Sequence, residues 1–179
     1  MSDKSARAAL PQTIATERLL LRAPSMADLD QLVALLDNPR VSATTAVIPS
    51  PYTEADGRFF IEHTATDAAL RAYAIIDGDD QLTGVVSFKF QDGKSPELGY
   101  WIGEPFWGRG YACEAANGLL DAARVTGLFP RINARALSSN GASLRVLEKA
   151  GFVVTEITAS VIERHLGQPI HVFAWQADR

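Results

Sequence analysis

The chain has 179 residues, 47% apolar and 21% charged, with a formal net charge of −4. That length suits one domain with a core of ordinary size, and the acidic balance argues against non-specific nucleic-acid binding. No apolar run approaches the roughly 20 residues that span a bilayer, and the single cysteine, Cys113, excludes an internal disulfide or a cysteine-cluster metal site and suits a reducing cytoplasm.

Residues 1–14 read as a loosely held tail, leaving 15–179 as the domain. Lys4 and Arg7 precede only Ala8-Ala9-Leu10 before Pro11, too short for a signal h-region. Arg18 to Arg22 is an apolar run between charges, a first strand. Ser25 with Asp28 three residues on reads as an N-cap, and Leu29, Leu32, Val33 and Leu36 recur at helical spacing until Asn38-Pro39. Residues 40–52 form a loop. Thr53 caps a second helix that ends around Ala69.

The pattern then changes. Ala72 to Ile76, Gln81 to Phe90 and Glu97 to Ile102 are strands, separated by turn signals at 77–80 and at Asp92-Gly93. Three strands in a row make an antiparallel meander. After Gly108 and Gly110 an alanine-rich helix starts near Ala112, and Gly127 closes it. Ile132 to Leu137 follows a helical crossover, so it lies parallel to its strand partner. A short helix starts at Ser139 or Asn140 and ends at Gly151. Strands Phe152–Thr158 and Ile170–Trp175 finish the chain around a turn at Gly167. The order β-α-α-β-β-β-α-β-α-β-β implies an α/β fold with a mixed sheet and helices on its faces.

The stretch Glu97 to Gly118 joins a strand, a glycine-broken turn and a helix start. Helix N-termini offer unpaired N–H groups and partial positive charge, which suits a phosphate. Spacing alone leaves open a plain strand-to-helix turn, because two glycines are a weak motif.

The element order, together with T-E-R-L-L-L-R, P-Y-T, L-G-Y-W-I, F-W-G-R-G-Y-A-C-E-A and S-S-N-G-A-S-L-R-V-L-E-K-A-G-F, resembles the GNAT superfamily of acyl-CoA N-acyltransferases. Within it, the chain resembles the Rim-type ribosomal-protein N-terminal acetyltransferase group over roughly Thr16 to Trp175. The resemblance implies acetyl-CoA as co-substrate and no metal. It implies CoA contacts along Trp107, Gly108, Arg109, Gly110, Tyr111 and Ala112, with Asn140 as a further contact. The pantetheine arm is expected beside the strand at Tyr100, Trp101 and Ile102, whose N–H groups can polarise the thioester. Trp107 stands where the wider superfamily usually has Gln or Arg, a departure that the Rim-type group tolerates.

The implied chemistry needs a base for the acceptor ammonium, of pKa about 8 for an α-amine and about 10 for a lysine, and an acid for the leaving thiolate. Glu97 is the candidate base, acting directly or through a water, with Glu104 or a neutral incoming amine as alternatives. The superfamily's usual acid is a tyrosine seven residues after the asparagine. Leu147 stands there, so Ser143 is the candidate donor. Glu97 also reads as an exposed strand-end carboxylate, Asn140 as a helix N-cap, Ser143 as a first-turn residue, and Arg109 as a solvated side chain. Glu114 and Cys113 read as structural, and His63, His165 and His171 lack metal-ligand spacing.

The expected acceptor is an amine: a protein or peptide N-terminus or a small molecule. The expected cleft walls are the loop 40–52, the second helix and the loop around Gly167, with Tyr52, Phe59, Phe60, His63 and Arg164. No nucleic-acid or membrane partner is expected, and an exposed strand near the C-terminus suits a homodimer. Two rivals stand beside this reading. One is a dinucleotide-binding enzyme, disfavoured by the meander, by Cys113 at the third glycine position and by the lack of an acidic residue after the next strand. The other is a non-catalytic acyl-CoA-binding or sensing module of the same fold.

Overall fold

A computed structural model describes residues 3–177. Helix α1 (Asp3–Ala9) leads to strands β1 (Thr13–Ala15) and β2 (Leu20–Arg22), then helices α2 (Leu29–Leu36), α3 (Pro39–Ser42) and α4 (Glu54–Thr66). Strands β3 (Leu70–Ile76), β4 (Leu82–Lys89) and β5 (Glu97–Ile102) follow, then α5 (Tyr111–Thr126), β6 (Arg131–Leu137), α6 (Gly141–Lys149), β7 (Val153–Ala159) and β8 (Pro169–Gln176). One eight-stranded sheet runs in the order β1-β2-β3-β4-β5-β6-β8-β7. Among the described residues only β5 and β6 are parallel, and every other pair is antiparallel. The meander and the parallel crossover expected from the sequence are both present.

Strand alternation builds two cores. Tyr73, Ile75, Val86, Phe88, Leu98 and Ile102 turn to the face covered by α5 and α6, where Ala115, Leu119 and Leu147 meet them. Ala72, Ala74, Ile76 and Val85 turn to the other face, against Leu29 and Leu32 of α2 and Ile61 of α4. Because both faces are covered, β3 is buried at every position after Leu70. Strand β7 is the far edge of the sheet and is exposed along its length.

The N-terminal segment corrects one expectation. Residues 3–15 hold a helix and an edge strand rather than a loose tail. Arg7 donates to the carbonyls of Leu70 (Nε, 2.9 Å) and Thr64 (Nη2, 2.9 Å), and Leu10 is buried. Arg71 and the Tyr73 hydroxyl both donate to the Pro11 carbonyl, at 2.6 and 2.7 Å. These partners lie about sixty positions away, so no local pattern announces them.

The loop expected over 40–52 opens with α3, capped by Asn38, whose side chain accepts from the Arg40 N–H at 2.9 Å. Thr53 caps α4 as expected, in a reciprocal box with Asp56. Ser25 caps a 3₁₀ turn over Met26–Asp28 that runs into α2. Asp28 is buried there and takes two bonds from Arg22 (2.8 and 2.7 Å) and one from the Ser25 N–H (2.7 Å). Burial opposes its ionisation, but the hydrogen bonds from Arg22 and Ser25 and the charge of Arg22 prevail, holding its pKa below the usual carboxylate value.

The folded value lies below the unfolded one. The stabilisation is therefore complete above the unfolded pKa of about 3.9 and is lost as pH falls through the depressed folded value. Asp28→Asn should cost about 2 kcal/mol at neutral pH, less than a fully buried pair because the Arg22 side chain stays partly in water. Thermal melts of parent and variant should converge in strong acid. A gap that persists there would overturn the charge assignment.

Candidate active site

The site grows from where β5 and β6 part. Strand β5 pairs with β4 over its whole length, from Glu97↔Lys89 to Ile102↔Gly84. Its parallel pairing with β6 stops after Glu97↔Asn133 and Leu98↔Ala134. Strand β6 continues against β8 to Leu137↔Ile170, so the two parallel neighbours diverge.

The backbone on the open side follows from alternation. Gly103 N–H donates to Thr83, which precedes β4's Gly84, and Asn133 N–H donates to Pro96, both at 2.8 Å. Odd positions of β5 therefore face β4 and even positions face β6. The Tyr100 and Ile102 N–H groups point into the gap. The Ile102 carbonyl is taken by the Trp107 indole N–H at 2.7 Å, which pins the following turn to the strand end.

That turn uses positive backbone φ at Gly108 (77°) and Gly110 (82°), a region that side chains disfavour. Gly110 caps α5 without a side chain, and Glu114 N–H is the first to reach back, to the Gly110 carbonyl at 3.0 Å. The N–H groups before it have no intrahelical acceptor. The helix begins at Tyr111, one residue before the expected Ala112.

Arg18 buttresses the turn, a role not read from the sequence. Its guanidinium donates to the Arg109 carbonyl (3.0 Å), pairs with Glu114 (2.6 Å) and lies over the Tyr111 ring. Glu114 also accepts from Thr16 Oγ1 at 2.6 Å and from the Arg18 N–H at 2.7 Å. Burial works against the Glu114 charge, yet these bonds and Arg18 lower its pKa, which fits the structural reading of this residue. The Arg109 guanidinium lies over Phe106, and Arg40 lies over the exposed Trp107 ring. Glu104, the alternative base, is held by Arg40 and by Asn38 Nδ2.

Glu97 accepts from Arg135 at both oxygens, Nε to Oε1 at 3.1 Å and Nη2 to Oε2 at 2.7 Å. The ion pair bridges β5 and β6 beside the last residues they pair. Ser143 sits in the first turn of α6, where its N–H donates to the capping Asn140 Oδ1 at 3.1 Å. Its Oγ lies 2.8 Å from the Tyr100 hydroxyl. Burial pushes the Tyr100 pKa up to about 12, against the Ser143 hydrogen bond, which lowers it. Tyr100 shares a sheet face with Leu98 and Ile102, whereas Glu97 and Trp101 turn to the other. The two candidate catalytic residues are therefore not side by side: they stand on opposite faces of the sheet. Leu147 is buried in the core under α6 and fills space.

On the α2/α4 side, Arg164 donates to the Ser42 carbonyl and His165 Nε2 bonds the Ala43 carbonyl, both at 2.9 Å. Beside this clasp lies an open cleft of about 450 Å³ whose lining includes Ala43, Thr44, Leu137, Asn140, His165 and Gln168. Of the expected wall residues, Arg164 joins this clasp and the others are placed elsewhere. Tyr52 is buried in the core, Phe60 packs at its edge, and Phe59 stacks on His63 on the exposed face of α4. Among the described residues, no group of three or more His, Cys, Asp or Glu could hold a metal ion, and no helix is long and apolar enough to cross a membrane.

A mixed sheet that opens between two parallel strands, beside a glycine-broken helix start, is the frame of an N-acyltransferase fold. The chain belongs to the GNAT acetyltransferase family, whose acetyltransferase (GNAT) domain matches residues 18–153. The uncharacterized N-acetyltransferase p20 of Bacillus licheniformis is 28% identical over 148 residues, 79% of this chain and 82% of that protein. A GNAT-family acetyltransferase of Bacillus anthracis has the same fold with a TM-score of 0.82 at 23% identity, over 93% of this chain and 99% of the other. RimL, the ribosomal L7/L12 alpha-N-protein acetyltransferase solved with coenzyme A, gives 0.79 at 19% identity, over 92% and 97%.

Proposed function

We propose that the protein transfers an acetyl group from acetyl-CoA to a primary amine by direct attack. The observation that carries this is the unpaired edge at Tyr100 and Ile102, which ends beside the N–H groups of the glycine turn and of α5. Acetyl-CoA supplies the activated thioester. The turn from Trp107 to Ala112 receives its pyrophosphate, with Arg109 adding charge, and Asn140 adds a contact from α6. The strand edge at Tyr100 and Ile102 receives the pantetheine arm, and these two N–H groups stabilise negative charge on the thioester oxygen; Trp101, expected to join them, turns its N–H to β4 instead.

Glu97 takes the proton of the amine, directly or through a water. Ser143 donates to the departing sulfur. Their positions on opposite sheet faces suit an acceptor entering from the α2/α4 side and a thiolate leaving toward α6. The acceptor is a protein or peptide N-terminus or a small-molecule amine, and the sequence motifs resembling the Rim-type group support the former. The exposed edge of β7 is the surface through which a second copy would pair.

The test is free-thiol release from acetyl-CoA against N-terminal Ala, Ser and Asp peptides, free amino acids, spermidine and an aminoglycoside. Release with one class establishes the transferase and its acceptor type together. Tight acetyl-CoA binding with no release across the panel would favour the acyl-CoA-sensing reading. The Glu97–Arg135 ion pair gives that second reading its support, because it leaves the carboxylate already engaged.

A further inference from the structure

Tyr100 lies on β5 with its backbone toward the gap, but its phenol does something separate. It crosses to α6, 43 positions along the chain, and meets Ser143 at two atoms: Oγ at 2.8 Å and the carbonyl oxygen at 3.2 Å. One phenol carries one hydrogen, so only two proton arrangements satisfy this pair. In the first, Tyr100 donates to the carbonyl and the Ser143 hydroxyl donates to Tyr100. In the second, Tyr100 donates to Ser143 Oγ, and the serine hydrogen is free to point elsewhere. Switching between them rotates two hydroxyl hydrogens and moves no heavy atom.

We infer that Tyr100 is the positioning residue for Ser143: its phenol donates to Oγ and aims the serine hydrogen at the sulfur of the leaving thiolate. The inference rests on the reading of Ser143 as the donor to that sulfur. The first arrangement stores the serine hydrogen on Tyr100 while no thiolate is present. When charge builds on sulfur, the second becomes the better arrangement, because a hydrogen bond to a charged acceptor is stronger than one to a neutral phenol. No proton leaves either residue. The serine hydroxyl solvates the thiolate as a donor, and the phenol compensates the serine oxygen. Burial keeps the phenol protonated and able to donate well above neutral pH. The pair is held from both sides: Asn140 Oδ1 fixes the Ser143 backbone, and the Tyr100 ring packs against the core. Leu147, buried one turn further on, has no donor to offer.

The test titrates the thiol of bound coenzyme A by its thiolate ultraviolet absorbance and requires no acceptor. Bound to the parent, the thiol should ionise about one pH unit lower than on Ser143→Ala, the size of one hydrogen bond to a charged group. Tyr100→Phe should raise the midpoint by a similar amount, and the double variant should add nothing beyond Ser143→Ala, because the phenol acts only through the serine. Coenzyme A binding at low pH, where the thiol is neutral, is measured for each variant so that every titration is read at saturation. Each failure has its own signature. Absence of coenzyme A binding to the parent would overturn the proposed function itself. A Ser143→Ala titration equal to the parent's would remove the serine, and with it this inference. A shift in Ser143→Ala with none in Tyr100→Phe, or an additive double variant, would overturn the inference about Tyr100 alone.

Discussion

Replacing Glu97 with Gln should lower kcat by about 10²- to 10⁴-fold, the range for loss of a positioned general base. Gln keeps the size and can still accept from Arg135, so the strand end should hold its shape. Glu97 and Arg135 are both partly exposed, and such a pair contributes about 1 kcal/mol or less, so folding should change little. Acetyl-CoA affinity by calorimetry should stay within about twofold, because the cofactor contacts proposed for the turn and strand edge do not involve this carboxylate. The deficit should narrow as pH rises through about 8 for an α-amine acceptor, since a neutral amine arrives with its proton already gone. Equal turnover of variant and parent would remove Glu97 from the mechanism. A loss confined to acetyl-CoA binding would move it to a structural role across the β5–β6 junction.

Gly84→Ala should be the most damaging of the small changes. Gly84 pairs with Ile102 at the end of β5, next to a register shift between β3 and β4. A Cβ there would lie 2.2 Å from the Trp101 carbonyl oxygen, 2.9 Å from Ile102 Cδ1 and 3.0 Å from Ile102 Cα. Two of those atoms are backbone and cannot rotate away, so β5 itself must move. The cost should be about 3 kcal/mol, the upper end for overpacking, and the melting temperature should fall by about 6–12 °C for a chain of this size. The displaced segment carries the Ile102 N–H and the carbonyl that anchors Trp107, so acetyl-CoA affinity should fall as well. Gly78→Ala is the control, because a methyl there meets nothing within 4 Å. A Gly84→Ala protein as stable as Gly78→Ala would show that the β4–β5 register is softer than its contacts imply.

Part of this molecule is written locally. Short apolar runs between turn signals at 72–76 and 97–102 mark strands, and Thr53, Asn140 and Gly127 mark helix ends, because turn and cap chemistry depend only on near neighbours. The glycine turn was legible for the same reason: Gly108 and Gly110 take positive φ, which needs no distant partner. The parallel placement of β6 followed from the length of the crossover.

The rest depends on partners far along the chain. Arg18 reaches Glu114 across 96 positions, Arg135 reaches Glu97 across 38, and Tyr100 reaches Ser143 across 43. None has a periodic signature, because each exists only once the sheet and its covering helices have packed together. The N-terminal segment docks through Arg7 and Pro11 for the same reason. Sequence alone determined the element types, the caps and the residue types that suit the chemistry. Tertiary structure decided that Glu97 and Ser143 stand on opposite faces of the sheet, that His165 rather than Tyr52 or His63 lines the cleft, and that the Ser143 hydroxyl has a phenol beside it. Local propensity is set by neighbours in the chain, whereas a site is set by which distant side chains packing brings within hydrogen-bond reach.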